Sequence, residues 1–173
     1  MITIISCTNR PNSNTLKVSK YYLQLLEKQG VTTKLLSLEQ LPADFTATDL
    51  YGKRSEKFQH LLDEFIIPAK KFVFIVPEYN GSFPGILKTF IDSFSPDINR
   101  DKDVALVGVA TGRAGNVRGM EHLTGILNYL GMHVHPNKIP LSQVATLMNV
   151  DGVFTDEGTI AALEKQSKSI VNY

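Results

Sequence analysis

The chain has 173 residues and a net charge of +1 at neutral pH. We therefore expect a single domain over residues 1–173 with a sizeable core, and no nucleic-acid partner, since that needs a concentrated basic surface. Cys7 is the one cysteine, which excludes an internal disulfide and favours a reducing, cytoplasmic location. Met1 leads directly into a strand-like run, so neither a signal peptide nor a membrane-spanning helix is predicted.

Apolar and β-branched runs recur along the chain at the length of strands. Two of them are unbroken, which is typical of central parallel strands buried on both faces. Pro136 interrupts the last run and indicates a strand at the sheet edge. The predicted strands are Ile2–Ser6, Val31–Leu38, Phe72–Val76, Val104–Ala110 and His133–Ile139.

Helical periodicity fills the segments between these strands. Capping residues and glycines mark most of the ends, and Leu41–Arg54, which has no clear period, is predicted to be a loop. The predicted helices are Thr15–Gln29, Ser55 to about Ala69, about Pro84 to Phe94, Asn116–Leu130, and a last helix capped by Thr155 that runs to about Val171.

Alternating strands and helices predict an α/β fold, a parallel sheet with helices on both faces. Ligands of such sheets bind beyond the carboxyl ends of the strands, where the strand order reverses. This rule selects the loops after the first, third and fourth strands, which are also the richest in Gly, Asn, Ser and Arg. They are Cys7–Asn14, Pro77–Phe83 and Thr111–Gly119.

The first of these loops predicts a phosphate site. It contains no acidic residue and runs into a helix N-terminus, where free N–H groups and the helix dipole attract anions. The alternative is that Ser13 or Asn14 only caps the helix while Arg10 lies in solvent. The loop has neither a Walker A ending nor G-x-G-x-x-G. The candidate donors are Thr8, Arg10, Ser13, Asn14 and Thr15.

The other two loops predict contacts to a ring. Amides of Tyr79, Asn80 and Gly81 could face a planar, hydrogen-bonding ring. Arg113 and Arg118 could meet a phosphate or the negative end of a reduced ring, although a solvated Arg118 is the alternative. The spacing of His122, His133 and His135 does not match a metal site, so these histidines are predicted to be structural or surface residues. Cys7 is predicted to be a small packing residue.

The three loops resemble those of the NADPH-dependent FMN reductase family, within the flavodoxin-like superfamily. Cys7–Thr15 matches the family's opening pattern Gly-Ser/Thr-x-Arg-x-x-Ser-Asn-Thr, except for the glycine. Pro77–Asp92 matches Pro-Glu-Tyr-Asn-x-Ser-x-Pro-x-x-Leu-Lys-x-x-Ile-Asp throughout. The third loop matches in type only. The resemblance spans Ile2 to about Pro140 and implies a flavodoxin-like three-layer sandwich whose five-stranded parallel sheet has the order 2-1-3-4-5.

The resemblance also implies how the loops would bind FMN. The five first-loop donors named above would hold the phosphate. The second loop would line the isoalloxazine, largely through its backbone, with Pro77, Glu78, Tyr79, Asn80, Gly81 and Ser82. The third loop would close over the other ring edge with Thr111, Gly112, Arg113 and Gly115.

The activity implied by the resemblance is transfer of hydride from NADPH or NADH to bound FMN and on to a quinone, azo compound, flavin or similar small acceptor. The flavin N5 would carry the chemistry, so no catalytic side chain and no metal is expected. The family also implies a homodimer or homotetramer. No membrane partner is expected, because the sequence has no membrane-spanning run.

Two other functions remain open from the sequence. A non-enzymatic electron carrier would usually be strongly acidic, and the net charge of +1 argues against it. A regulatory module without flavin is favoured only by Cys7, because a cysteine in place of the glycine would strain a backbone that needs positive φ.

Overall fold

The computed structural model describes residues 1–51 and 53–173. Within them, six strands form one sheet, and every strand pair is parallel. The sheet order is β2-β1-β3-β4-β5, with β6 also paired to β4, which confirms the predicted order. The strands are β1 Ile2–Ser6, β2 Thr33–Ser37, β3 Lys71–Pro77, β4 Asp103–Val109, β5 His133–Val134 and β6 Ile139–Leu141.

Helices cover both faces of the sheet, as the alternating pattern predicts. Phe72 and Phe74 of β3 join a core shared with the third to fifth helices, while Val73 and Ile75 face the first and last helices. None of the described helices is both long and apolar enough to span a bilayer. The helices are α1 Asn14–Glu27, α2 Phe45–Thr48, α3 Glu56–Leu61, α4 Gly85–Asp92, α5 Val117–Tyr129 and α6 Glu157–Asn172.

The edge strand predicted at His133–Ile139 is wrong in its extent, because it divides into β5 and β6. Pro136 lies in the gap and has no N–H to offer the sheet, so the chain leaves β4 after Val134 and returns at Ile139. The buried Gln166 side chain of α6 bridges the gap through the Leu106 carbonyl at 3.1 Å and the Asn137 carbonyl at 2.6 Å.

The helix predicted from Ser55 to about Ala69 is also divided. Ser55 caps it as predicted, since its hydroxyl accepts the Phe58 N–H at 3.2 Å. After α3, however, Leu62–Ile66 widens into a π-helical turn. Thr3 donates to the Phe65 carbonyl at 2.7 Å, and Lys102 donates to the Ile66 carbonyl at 2.8 Å, so two distant side chains satisfy the carbonyls of the widened turn.

The segment predicted as a loop, Leu41–Arg54, contains α2; Gly52 of this segment lies outside the described residues. Phe45 is 2% exposed and packs on Phe58, with 5.0 Å between ring centroids. The packing of Phe45 on Phe58 therefore stabilises a helix where the sequence shows no helical periodicity, because tertiary packing outweighs local propensity.

The start of α6 differs from the prediction by one residue. The cap is Asp156, whose carboxylate accepts the Thr159 N–H at 2.7 Å. The Thr155 N–H instead donates to the Leu147 carbonyl at 2.9 Å. A carboxylate is the stronger partner for a helix N-terminus, and the hydrogen bonds from Thr159 lower the pKa of Asp156.

Candidate functional site

The loop between β1 and α1 turns sharply before the helix begins. Asn12 adopts positive φ (53°), and Ser13 caps α1 by accepting the Leu16 N–H at 3.2 Å. The first turn of α1 contains no acidic residue. Capping by Ser13 leaves N–H groups of Asn14 and Thr15 at the positive end of the helix, which is suited to an anion.

A cleft of about 320 Å³ opens directly above this helix end. It lies between the first loop, the end of β3 and the segment that follows β6. Its polar side is built from the first-loop residues, and Arg10 supplies a guanidinium there. The residues that line it are Arg10, Pro11, Asn12, Ser13, Asn14, Thr15, Pro77, Glu78, Tyr79, Val109, Thr111 and Val144.

Thr8 lies behind the cleft rather than in its lining. It is fully buried, and its hydroxyl lies 2.7 Å from the Tyr79 hydroxyl. The same oxygen accepts the Arg10 N–H at 3.2 Å. Thr8 therefore fixes the two residues that face the cleft from either side.

The second loop contains a tight two-residue turn. The Tyr79 N–H donates to the Ser82 carbonyl at 2.9 Å, and the Ser82 N–H donates to the Tyr79 carbonyl at 3.1 Å. Asn80 and Gly81 have φ of 51° and 80°, the combination that a type I′ turn needs and that Asn-Gly favours. The backbone of this wall is consequently rigid before any ligand binds.

The third loop is fastened to the rest of the site at its end. Asn116 has φ of 62° and donates from Nδ2 to the Val76 carbonyl at 2.9 Å, just before the second loop begins. A Cβ on Gly119 would collide with Oδ1 of Asn116 and would also lie 2.8 Å from the Ser82 carbonyl carbon. Glycine is therefore needed at this position both for the Asn116 side chain and for the approach of α5 to the turn. Gly115, at φ 58°, packs directly on Pro140.

A second cleft, of about 340 Å³, separates the turn from the third loop. It shares Glu78 and Thr111 with the first cleft, so the two clefts lie side by side at the carboxyl ends of β1, β3 and β4; together they are called the trough. The second cleft is lined by Glu78, Asn80, Gly81, Ala110, Thr111, Gly112, Arg113 and Ala114.

A larger groove of about 480 Å³ lies between α4 and α5 and has a mostly apolar lining.

Most of the predicted site residues line this trough. Three do not: Thr8 is buried behind it, Ser82 turns toward α5, and Gly115 packs on Pro140. The sequence reasoning missed Val144, which follows β6 and enters the first cleft without any motif around it. It also passed over Pro11, Asn12, Val109, Ala110 and Ala114 as lining residues.

His122 contacts the second loop, which its sequence context did not indicate. Its Nδ1 lies 2.9 Å from the Ser82 hydroxyl. The other two histidines fit the structural reading, since His133 faces Asp103 and His135 bonds to Ser169. Across residues 1–51 and 53–173, no group of three or more His, Cys, Asp or Glu side chains is placed to hold a metal ion.

Cys7 is free of the backbone strain that its replacement of a glycine suggested. It is absent from the positive-φ positions of the described chain, and it is fully buried. Its thiol donates to the Ile5 carbonyl at 3.2 Å, and burial raises the pKa of the thiol well above its usual value. Cys7 is a packing residue below the first loop, so the observation that favoured a module without flavin no longer holds.

Comparison with known proteins agrees with this geometry. Residues 1–146 match the family model for NADPH-dependent FMN reductase. An NAD(P)H:quinone oxidoreductase of Solanum tuberosum is 34% identical over 140 residues, covering 75% of this chain and 69% of that protein. An NAD(P)H-dependent FMN reductase of Pseudomonas aeruginosa is 26% identical, with 82% and 77% covered.

Solved structures show the same fold. The flavoenzyme NAD(P)H:acceptor oxidoreductase FerB of Paracoccus denitrificans superimposes with a TM-score of 0.76 at 23% identity, covering 99% of this chain and 95% of that one. The family model spans 146 of the 173 residues. The chain therefore belongs to the NADPH-dependent FMN reductase family and is an FMN-dependent NAD(P)H oxidoreductase.

Proposed function

We propose that the trough binds FMN with its phosphate at the N-terminus of α1 and its ring between the Tyr79–Ser82 turn and the third loop. The observation that carries this assignment is the donor set of the first cleft. Arg10, Ser13, Asn14 and Thr15 converge on a helix end whose first turn has no acidic residue. The combined size of the two clefts also lies in the range of small-molecule sites.

The residues predicted to bind FMN then divide into two groups, those that contact the cofactor and those that position other residues. Arg10 supplies the opposing charge, and N–H groups of Asn14 and Thr15 supply hydrogen bonds to the phosphate. Thr8, Ser82 and Gly115 act indirectly, because they hold Tyr79, the turn and the third loop in place.

When bound, FMN supplies the N5 position that accepts and returns hydride. The chain supplies a stable cavity for it. The type I′ turn and the third loop both present backbone groups to the second cleft, which suits the amide-like edge of a flavin ring. Glu78 and Tyr79 are the only ionisable side chains of the turn segment 77–82, and hydride transfer requires neither as an acid.

The proposed electron acceptor is a small quinone, azo compound or flavin. The relatives support this range, since they include the quinone oxidoreductase, the FMN reductase and an FMN-dependent NADPH-azoreductase of Staphylococcus aureus. Both clefts open to solvent, which is compatible with varied flat acceptors.

We also propose that the chain is one FMN-binding domain, acts in the cytoplasm and forms a homodimer or homotetramer. The buried free thiol of Cys7 supports a reducing compartment. The apolar groove between α4 and α5, with Tyr129 90% exposed beside it, supports association. Light scattering on the purified protein would measure the assembly, and a monomer would contradict that part of the proposal.

Purification with added FMN tests the function. We expect a yellow protein whose flavin absorbance bleaches with NADPH under anaerobic conditions and returns when a quinone is added. A protein that takes up no FMN would refute the site. One that binds FMN but is not reduced by NADPH or NADH would instead be an electron carrier.

A further inference from the structure

Two arginines flank the ring end of the trough, away from the phosphate end. Arg113 lies at the tip of the third loop and lines the second cleft. Arg118, in the first turn of α5, reaches the opposite wall: a Cβ on Gly81 would lie 3.0 Å from its guanidinium nitrogen. Both side chains are exposed. Arg113 belongs to the lining of the second cleft, whereas Arg118 lies beside Gly81, a residue of the opposite wall, and is not itself a lining residue.

Neither guanidinium takes part in an ion pair among residues 1–51 and 53–173. The natural partner of Arg118 on its own helix would be Glu121, one turn later. Glu121 bonds instead to Lys138 at 2.7 Å. Glu78 is the carboxylate that lines the second cleft and Arg113 is its cation; Arg118, next to Gly81, adds a second positive charge beside the cleft.

The backbone that carries Arg113 is fixed. The Ser142 hydroxyl donates to the Arg113 carbonyl at 2.6 Å, and the Gln143 N–H donates to the Gly112 carbonyl at 2.9 Å. Gln143 itself adopts positive φ (47°), a conformation that few residues of its type occupy. The loop is therefore held in position with its charge presented to the opening.

We propose that Arg113 and Arg118 form an anion-binding site for the second substrate at the ring end of the trough. This inference rests on the proposed function, in which Arg10 and the α1 N-terminus already serve the FMN phosphate. The anion is a phosphate, sulfonate or carboxylate carried by a molecule that exchanges electrons with the flavin. It has two sources: the 2′-phosphate of NADPH, or an anionic group on the acceptor.

The first arm of the test uses NADPH and NADH, which differ by the 2′-phosphate alone. Flavin reduction is followed in a stopped-flow instrument under anaerobic conditions, and the NADPH/NADH ratio of second-order rate constants is compared among variants. If the 2′-phosphate is the anion, the ratio falls about threefold in Arg118→Gln and about tenfold in the double variant with Arg113→Gln. Because the ratio is taken within one variant, altered FMN occupancy cancels.

The second arm starts from enzyme already reduced with NADPH. Its reoxidation by 1,4-naphthoquinone-2-sulfonate is compared with that by the neutral 1,4-naphthoquinone. If the acceptor carries the anion, the sulfonate/neutral ratio falls by the same factors in the double variant. Raising the salt from low ionic strength to 0.5 M, where the Debye length is only a few ångströms, should lower the wild-type ratio in the same direction.

An equilibrium measurement avoids turnover altogether. Calorimetry of naphthalene-2-sulfonate binding to the oxidised, FMN-loaded protein should show weaker binding in the double variant, by about tenfold. The matched control is Arg100→Gln, an arginine before β4 at the opposite end of the sheet that pairs with Asp97.

Each result decides a question. A fall confined to the first ratio identifies the 2′-phosphate, and one confined to the second identifies an anionic acceptor. The proposal is overturned if neither ratio changes in the double variant, or if Arg100→Gln changes them equally. A wild-type protein that takes up no FMN, or that no nicotinamide reduces, would refute the proposed function instead.

Discussion

The hydroxyls of Thr8 and Tyr79 lie 2.7 Å apart and join two loops that are 71 residues apart in sequence. Thr8 follows β1 and is fully buried, whereas Tyr79 follows β3 and lines the first cleft. Because adjacent parallel strands end at the same edge of the sheet, this single hydrogen bond can set the distance between the first loop, which is proposed to bind the phosphate, and the second loop, which is proposed to line the ring.

Removing this bond should loosen the site more than the fold. We expect Tyr79→Phe to weaken FMN binding about fivefold, since a net hydrogen bond contributes about 1 kcal/mol. Fluorescence quenching during FMN titration measures the change. Tyr51→Phe is the matched control, because Tyr51 is 85% exposed. Equal affinities for Tyr79→Phe and wild type would show that the bond does not position the loops.

A variant of Arg10 can distinguish binding of the FMN phosphate from binding of the rest of the cofactor. Arg10→Ala should weaken FMN binding about tenfold or more, because it removes a charge-assisted contact at the helix end. Riboflavin, which lacks the phosphate, provides the control ligand. Its affinity should be nearly the same for the variant and wild type, and a parallel loss for both ligands would contradict the phosphate assignment.

Two glycines of α5 provide a matched pair. Gly119 faces the turn, where a Cβ would meet the Ser82 carbonyl carbon at 2.8 Å. A Cβ on Gly125 would instead enter open space, with no described atom beyond its own helix backbone within 4 Å. Gly119→Ala should destabilise the fold by about 2 kcal/mol and weaken FMN binding. Gly125→Ala should stabilise the isolated chain by about 0.5–1 kcal/mol through helix propensity. Because Gly125 lines the groove between α4 and α5, light scattering must first show that this variant assembles as the wild type does.

Thermal unfolding measured by circular dichroism, with and without FMN, distinguishes the two variants. If Gly119→Ala unfolds at the wild-type temperature and binds FMN equally well, then the close approach of α5 does not fix the turn.

Substitution of Cys7 should lower the stability of the fold without weakening FMN binding. Cys7→Ala removes a fully buried sulfur and should cost about 1 kcal/mol, while the FMN dissociation constant changes by less than about twofold. In the wild type, burial and the raised pKa of the thiol predict slow labelling by a thiol reagent at about pH 8. Rapid labelling of native protein would place the sulfur in contact with solvent and contradict this description.

Asp49 makes part of the stability depend on pH. Burial by itself would raise the pKa of this carboxyl, but hydrogen bonds from Ser55 and Thr48 and the charge of Arg54 together lower it. The ionised form therefore stabilises the fold above the unfolded pKa of about 4, and this contribution is lost as the pH falls through the lower folded pKa.

We expect Asp49→Asn to lower the free energy of unfolding by about 1 kcal/mol at pH 7 and by much less near pH 3. Urea unfolding at both pH values measures this. Asp44→Asn is the control, because Asp44 belongs to the same segment and precedes α2, but its exposed side chain makes no capping hydrogen bond. A difference that is independent of pH would exclude the charge as its cause.

The central strands and the three site loops were predictable because each depends on local chemistry, whereas the sheet order followed from the resemblance to a family. Unbroken apolar runs identified β3 and β4, and the Asn80-Gly81 pair encodes its turn through positive φ. What was missed depends on contacts between distant segments. Val144 enters the cleft only because β6 returns to β4, and His122 reaches Ser82 only through the packing of α5.

Helix boundaries were missed for the same reason. The π-helical turn after α3 depends on Thr3 and Lys102, which are far from it in sequence. Cys7 shows the opposite case: the match to a family pattern suggested strain at a glycine position, yet the backbone there has no positive φ. A pattern identifies which loop forms the site, but not which of its residues face the ligand.

The division of the last strand also protects this edge of the sheet from other chains. β5 has two residues and β6 has three, with Pro136 between them and Pro140 inside β6. Neither piece offers the row of free N–H and C=O groups that an incoming strand would need for pairing. An uninterrupted strand from His133 to Leu141 would present such a row, so the break that brings Val144 to the cleft also guards against edge-to-edge aggregation.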